Sequence, residues 1–273
     1  MKIVRSEQRT QRHIGAWFSH ATRFRVAAAV WMALSLCAAA AGAAPAQPVK
    51  NIVLVHGAFV DGSSWTKVIP ILQAKGYNVT AVQCPLTSLA DDVATARRAI
   101  ARQDGPVILV GHSWGGVVIT EVGMDPKVVG LVYVAAFGPD EGEAVSELGK
   151  AYPPPPALAS PSVDPQGFMT LPTDSFKLFA SDLPAEAARL AAATQGPINV
   201  SAFGAKVSGV AWKTKPSWYI VSKLDNAIAP DEERFFARRM KATTTELNTS
   251  HMAMLSQPKA VAEVIMDAAA KAK

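Results

Sequence analysis

The chain has 273 residues, with 27 Lys and Arg against 22 Asp and Glu. Six of the basic residues and a single acid fall within 1–46, so the remainder balances at 21 of each and its charge gives no case for a nucleic-acid partner. That remainder is long enough for one full-sized core, and with Cys84 as its one cysteine it has no internal disulfide to hold it.

Residues 1–46 read as a secretory signal peptide. Lys2, Arg5, Arg9, Arg12, Arg23 and Arg25 form a basic start, Val26 to Ala44 is apolar and alanine-rich, and small residues around Ala41-Gly42-Ala43 and Ala44-Pro45-Ala46 offer cleavage sites. The expectation is an exported protein, periplasmic or secreted, with no stable membrane association once the leader is removed. An uncleaved anchor is the alternative, because the apolar stretch approaches spanning length.

Residues 47–273 then alternate strands and helices. Asn51 to Val55 is a short β-branched run of buried-strand type, ending in His56-Gly57-Ala58-Phe59. Asp61 to Ser64 is a turn, with Ser63 or Ser64 placed to cap a helix from Trp65 to Lys75 that Gly76 ends. Tyr77 to Gln83 is the next strand. Ser88 opens a helix with Leu89, Val93, Ala96 and Ile100 on one face. Val107 to Val110 is again a buried strand, followed by Gly111-His112-Ser113-Trp114-Gly115 and a short apolar helix. Val128 to Ala136 is a strand. From Gly138 to about Lys215 no strand is evident, and a proline run at Pro153 to Pro156 and short helical patches at Asp174–Ala180 and Leu183–Ala193 suggest a helical cap insertion. The sheet resumes at Ser217–Val221, a helix opens at Pro230 and Asp231, Thr243 to Leu247 is the last strand, and Pro258 starts a C-terminal helix. Six strands with interleaved helices predict an α/β fold with a mostly parallel sheet and helices on both faces.

The chemistry concentrates at Gly111 to Gly115, which fits G-x-S-x-G in the strand–turn–helix context of a nucleophile elbow. A serine hydroxyl becomes a nucleophile when a sharp turn presents it to a base and to the substrate together. Ser113, Asp225 and His251 each follow a predicted strand, at the edge where such sheets bind ligands, and their chain order suits a Ser-Asp-His triad. His251 is the expected base and Asp225 its orienting acid, with Asp140 as an alternative acid and Asp231 as a helix cap. Of the other histidines after residue 46, His112 lies inside the elbow and His56 is placed to shape the loop after the first strand. The backbone N–H groups of Ala58 and Trp114 are the candidate oxyanion donors. Phe59, Phe137, Phe168 and Phe179 are the candidate pocket residues. Phe176, Phe203 and Trp212 also belong to the cap's aromatic set, which serves either as pocket lining or as the cap's own core. Cys84 reads as a packing residue, with a regulatory thiol as the alternative. No Cys/His spacing of metal-site type is present, and the triad chemistry calls for no metal or cofactor.

Leu54 to Ala58, Gly111 to Gly116, Asp225 to Pro230 and His251-Met252-Ala253-Met254-Leu255 together resemble the α/β-hydrolase superfamily across residues 50–270. Within it the chain is similar to the branch of plant methylesterases, including the salicylic-acid-binding protein, and hydroxynitrile lyases. The resemblance implies an α/β-hydrolase fold with its triad on Ser113, Asp225 and His251 and its oxyanion amides on Ala58 and Trp114. The lyases typically carry a threonine at the position of Gly57 and a lysine at that of Met252, so the resemblance favours an esterase acting on a small-molecule ester. A carbon–carbon lyase and a non-catalytic small-ligand binder are the alternatives, and the sequence leaves acyl specificity and oligomeric state open.

Overall fold

In a computed structural model, residues 49–272 are described. The leader reading of 1–46 lies outside the described residues. Six strands form the central sheet: β1 (Asn51–Val55), β2 (Asn78–Ala81), β3 (Val107–His112), β4 (Val128–Val134), β8 (Ser217–Ser222) and β9 (Thr243–Leu247). Their order is β2-β1-β3-β4-β8-β9 and every pairing is parallel. All residues of β1, β3 and β8 are buried, whereas β2 and β9, at the edges, are partly exposed. A strand flanked on both sides and covered on both faces has no solvent side, which is why Ile52, Leu54, Ile108 and Val110 follow one another without polar alternation. Each such side chain contributes about 1.5–3 kcal/mol on burial.

Helices α1 (Ile69–Ala74), α2 (Leu89–Ala101), α3 (Gly115–Val122), α6 (Pro230–Arg239), α7 (Ala253–Ser256) and α8 (Pro258–Lys271) cover the sheet. α1 packs on α8, α2 packs on α3, and the Trp218 indole donates to Asp267 at 2.9 Å, tying β8 to α8. Ser88 caps α2 as expected, its hydroxyl accepting from the Asp91 N–H. The expected helix from Trp65 to Lys75 is instead a 3₁₀ turn at Gly62–Trp65 followed by α1. Pro70 explains the break: it has no N–H to donate and fits only the first turn of a new helix. The cap of the 3₁₀ turn is Asp61, which accepts from Ser63 N–H at 2.8 Å, rather than either serine. Asp231 is likewise not a cap: it sits in the first turn of α6 and pairs with Arg234 at 2.8 Å.

Between β4 and β8 lie α4 (Thr173–Phe179) and α5 (Ala185–Ala193), close to the expected patches. The expectation that this segment lacks strands is corrected by a small antiparallel sheet of β5 (Ser162–Val163), β6 (Phe168–Thr170) and β7 (Ile198–Asn199). Strands of two or three residues are too short to show a period of two. The turn between β5 and β6 did carry a signal: Asp164 accepts from the N–H groups of Gln166 and Phe168, and Gly167 takes φ +83°.

Candidate active site

The parallel sheet brings the C-terminal ends of β1, β3, β8 and β9 to one edge. The chain leaves β1 toward β2 on one side and β3 toward β4 on the other, so a crevice opens between the ends of β1 and β3. Val55 lies opposite Gly111, which sets the His56–Phe59 loop beside the elbow.

Ser113 follows β3 at φ +51°, a left-handed conformation that is uncommon for a residue with a side chain. Its main chain is fixed on both sides: Ser113 N–H donates to Val134 O, and Ser113 O accepts from Gly116 and Phe137 N–H. The elbow's glycines are steric requirements. A Cβ at Gly111 would sit 2.5 Å from Gly115 O, and one at Gly115 would sit 2.5 Å from Val55 O. Gly57 is equally constrained, because a Cβ there would approach Ser113 Cβ to 2.7 Å and His112 Nδ1 to 2.9 Å.

Asp225 lies three residues past β8, and His251 follows β9. His251 Nδ1 lies 2.5 Å from Asp225 Oδ2, with both side chains buried. Asp225 is oriented by its own loop, since its Oδ1 accepts from Ala227 N–H at 2.6 Å and Ile228 N–H at 3.0 Å. The other ring nitrogen, His251 Nε2, is buried and meets no partner among the described residues. Ser113 Oγ and His251 Nε2 do not hydrogen-bond each other in this structure; in ligand-free sites such bonds are commonly long and tighten with substrate. The imidazole is covered by Phe179 on one side, ring centroids 4.5 Å apart, and approached by His112, 4.7 Å away.

Ala58 and Trp114 have N–H groups that donate to no acceptor among the described residues, and both residues line a cavity of about 380 Å³ together with Ser113. Phe59, Phe137, Phe179 and Phe203 line it. Phe168 does not. It alternates along β6 with Met169, and Met169 is the residue that reaches the cavity. Phe176, on α4, is buried with its ring against that of Phe179, and Trp212 donates its indole N–H to Pro139 O, so both serve packing. Asp140 is engaged away from His251. Burial opposes its ionisation, but the bond and charge of Lys213 outweigh it and hold the carboxyl below the usual range. Cys84 is buried; burial and the charge of Asp92 push its thiol well above the ordinary range, so it packs. No group of three or more His, Cys, Asp or Glu side chains is arranged to hold a metal among the described residues.

The sequence profile of the alpha/beta hydrolase family matches residues 52–264. The chain belongs to that family. This hydrolase is 27 % identical to methylesterase 2 of Arabidopsis thaliana over 257 aligned positions, covering 80 % of this chain and 95 % of that one. It is 36 % identical to a carbendazim-hydrolyzing esterase of Nocardioides over 121 positions, 38 % of this chain and 49 % of that one. Among solved structures it is similar in fold to polyneuridine aldehyde esterase, with a TM-score of 0.70 at 23 % identity, covering 80 % and 98 % of the two chains. The resemblance to methylesterases, read from the motifs, therefore stands.

The hydrogen-bonding roles of three buried polar residues around the hydrolase's site went unread in the sequence. His112 Nε2–H donates to His251 O at 2.9 Å, so the elbow histidine holds the backbone of the second loop. Burial, then the neighbouring His251, lower its pKa well below the ordinary value and keep it neutral. Asp92, on α2, accepts from the Trp114 indole at 2.8 Å and from Leu86 N–H at 2.9 Å. Glu233, on α6, is the third, buried against Asp225. The aspartate within the Ser88-to-Ile100 helix face was the visible signal for Asp92, since it falls among the apolar positions. His56 does shape its loop: its Nε2 accepts from Cys84 N–H at 2.9 Å, which leaves the Nδ1–H to donate to Gly57 O at 2.8 Å.

Proposed function

We propose that this hydrolase cleaves small, uncharged carboxylic esters through an acyl-serine intermediate, with Ser113 as nucleophile, His251 as general base and acid, and Asp225 as the orienting acid. One observation carries the reading: a buried imidazole anchored by a carboxylate through Nδ1, its Nε2 without a partner among the described residues, in the loop that the elbow histidine beside Ser113 holds. His251 Nε2 takes the Ser113 Oγ proton as Oγ attacks the ester carbonyl carbon. The carbonyl oxygen becomes an oxyanion facing the Ala58 and Trp114 N–H groups, each such donor contributing about 10²–10³ in rate. The tetrahedral adduct expels the alcohol, which leaves with the proton from His251. Water then gives its proton to Nε2, attacks the acyl carbon, and releases the acid as Ser113 recovers its proton.

The cavity supports the substrate class. Among the described residues its lining is largely aromatic and aliphatic and carries no charged side chain; the hydroxyl of Ser146 is its polar group there besides Ser113. A volume near 380 Å³ falls at the low end of small-molecule pockets, which run from about 300 Å³ upward. A buried carboxylate or ammonium on the substrate would lose its hydration with nothing to replace it. The relatives named methylesterase and carbendazim-hydrolyzing esterase are esterases by name, which agrees with the reaction. Met252, next to the base, is fully buried and supplies no cation to a leaving anion. The basic and apolar pattern of residues 1–46 supports export of the enzyme with that segment removed.

The test is hydrolysis of p-nitrophenyl esters of increasing acyl length, alongside monoesters bearing a free carboxylate. Turnover of neutral short and medium esters with little on the charged ones is the expected pattern. Equal turnover of the charged esters overturns the substrate class, and no turnover of any ester overturns the activity.

A further inference from the structure

Glu233 takes no part in the steps above, yet it is fully buried directly behind them. It lies on α6, and its Oε2 accepts the N–H of Ser222, the last residue of β8, at 3.0 Å. Its Oε1 meets no donor among the described residues. The same residue, Ser222, accepts the Asp225 N–H through its carbonyl at 3.2 Å, so the buried Asp225 carboxyl is the acid that faces Glu233 across that residue. Two carboxylates buried beside each other out of water are not both charged, so the pair holds one proton. Asp225 accepts three hydrogen bonds, from His251, Ala227 and Ile228, whereas Glu233 accepts one among the described residues, from Ser222 N–H, and is the carboxyl with an oxygen left over for a proton.

The other charged or titratable neighbours do not reverse this. Arg234 is forked onto Glu246 at 2.8–2.9 Å and bonded to Asp231 at 2.8 Å. The Tyr219 hydroxyl donates to Ala136 O. Glu232, alongside, is itself pushed up to about 7 by burial and brings no positive charge. Burial first, then the charge of Asp225, drive the Glu233 carboxyl well above the usual carboxylate range.

We propose that Glu233 is a positioning residue that remains a carboxylic acid at neutral pH and donates its O–H to Asp225, fixing that carboxylate against His251. It supplies Asp225 with a fourth donor and adds no second negative charge beneath the imidazole. The protonation state rests on the burial of the two carboxyls about Ser222 and on the orphaned Oε1; its kinetic consequence rests on the triad proposed above.

The experiment pairs infrared spectroscopy with pH–rate profiles. At pH 8, where most Glu232 is ionised, the wild-type enzyme shows a protonated-carboxyl C=O band that Glu233→Gln removes and Ser113→Ala retains. Glu233→Leu lowers kcat about tenfold with KM little changed, the size expected for one hydrogen bond to a charged group. Glu233→Gln, which keeps a neutral donor, recovers most of that loss, and the acid limb of its kcat/KM profile coincides with that of the wild type. Absence of the band overturns the proposal, and so does an acid limb displaced to lower pH in Glu233→Gln, which reports a lost negative charge. Where Glu233→Leu does not fold, the band and the Glu233→Gln profile decide. Full turnover by Ser113→Ala refutes the triad, and the presence or absence of the band then decides the protonation state of Glu233 on its own.

Discussion

Gly57→Ala isolates the coupling between the first loop and Ser113, the nucleophile of the proposed mechanism. The added Cβ would lie 2.7 Å from Ser113 Cβ, 2.9 Å from His112 Nδ1 and 3.1 Å from His112 O, against about 3.4 Å or more in ordinary contact. None of these neighbours is the far end of a flexible side chain. Ser113 is held by main-chain bonds to Val134, Gly116 and Phe137, and the His112 ring is fastened to His251 O at 2.9 Å. The loop must therefore withdraw by several tenths of an ångström and carry the Ala58 N–H with it. Overpacking of this kind costs about 1–3 kcal/mol of stability. Removing one oxyanion donor lowers kcat by about 10²–10³, or about 2.7–4 kcal/mol. The assay is kcat and KM on p-nitrophenyl acetate, with a urea melt of the same preparation. Gly204→Ala is the matched control, since a Cβ there meets nothing within 4 Å among the described residues. A folded Gly57→Ala enzyme with kcat within about threefold of wild type would refute the assignment of Ala58.

Two further substitutions test the buried polar frame. Glu232 is buried, its Oε1 lacks a partner among the described residues, and burial raises its pKa to about 7, so the folded state binds a proton that the unfolded chain releases near 4.5. Its contribution to stability is complete below about pH 4.5 and lost as pH rises to about 7, by about 2 kcal/mol after allowance for solvent screening; urea midpoints of wild type and Glu232→Gln should diverge over that range, and parallel curves would refute the sign. Asp92→Leu leaves the Trp114 indole and Leu86 N–H unpaired at about 1–3 kcal/mol each, so a stability loss of several kcal/mol by urea titration is expected, and an unchanged midpoint would show that Asp92 is dispensable.

The central sheet was legible because its interior strands are buried on both faces. Runs such as Asn51–Val55 and Val107–Val110 leave no other reading, and parallel order follows from the helices between them. The elbow was legible for the same reason: Gly111 and Gly115 are where backbone meets backbone, and a Cβ at either would overlap a main-chain oxygen. The segment between β4 and β8 was legible only as helical patches. Its strands are two or three residues long, and its contacts run to remote loops, as in Ala157 N–H to Asn226 O and Asp182 to Ser250. The pocket was partly legible. Phe59, Phe137 and Phe179 reach it, but Phe168 points away because β6 puts alternate residues on opposite faces, and no register was readable for a strand that was not seen. The polar frame was hidden for a different reason. Asp92, His112 and Glu233 act through partners 22, 139 and 11 residues away, and sequence spacing does not reveal such pairs.

The most direct measurement is intact-protein and peptide mass spectrometry after reaction with a fluorophosphonate, run beside ester turnover by Ser113→Ala. The triad account expects one adduct per chain, on the peptide containing Ser113, and loss of both adduct and turnover in the variant. An adduct on another residue, or ester hydrolysis that persists in Ser113→Ala, would contradict it.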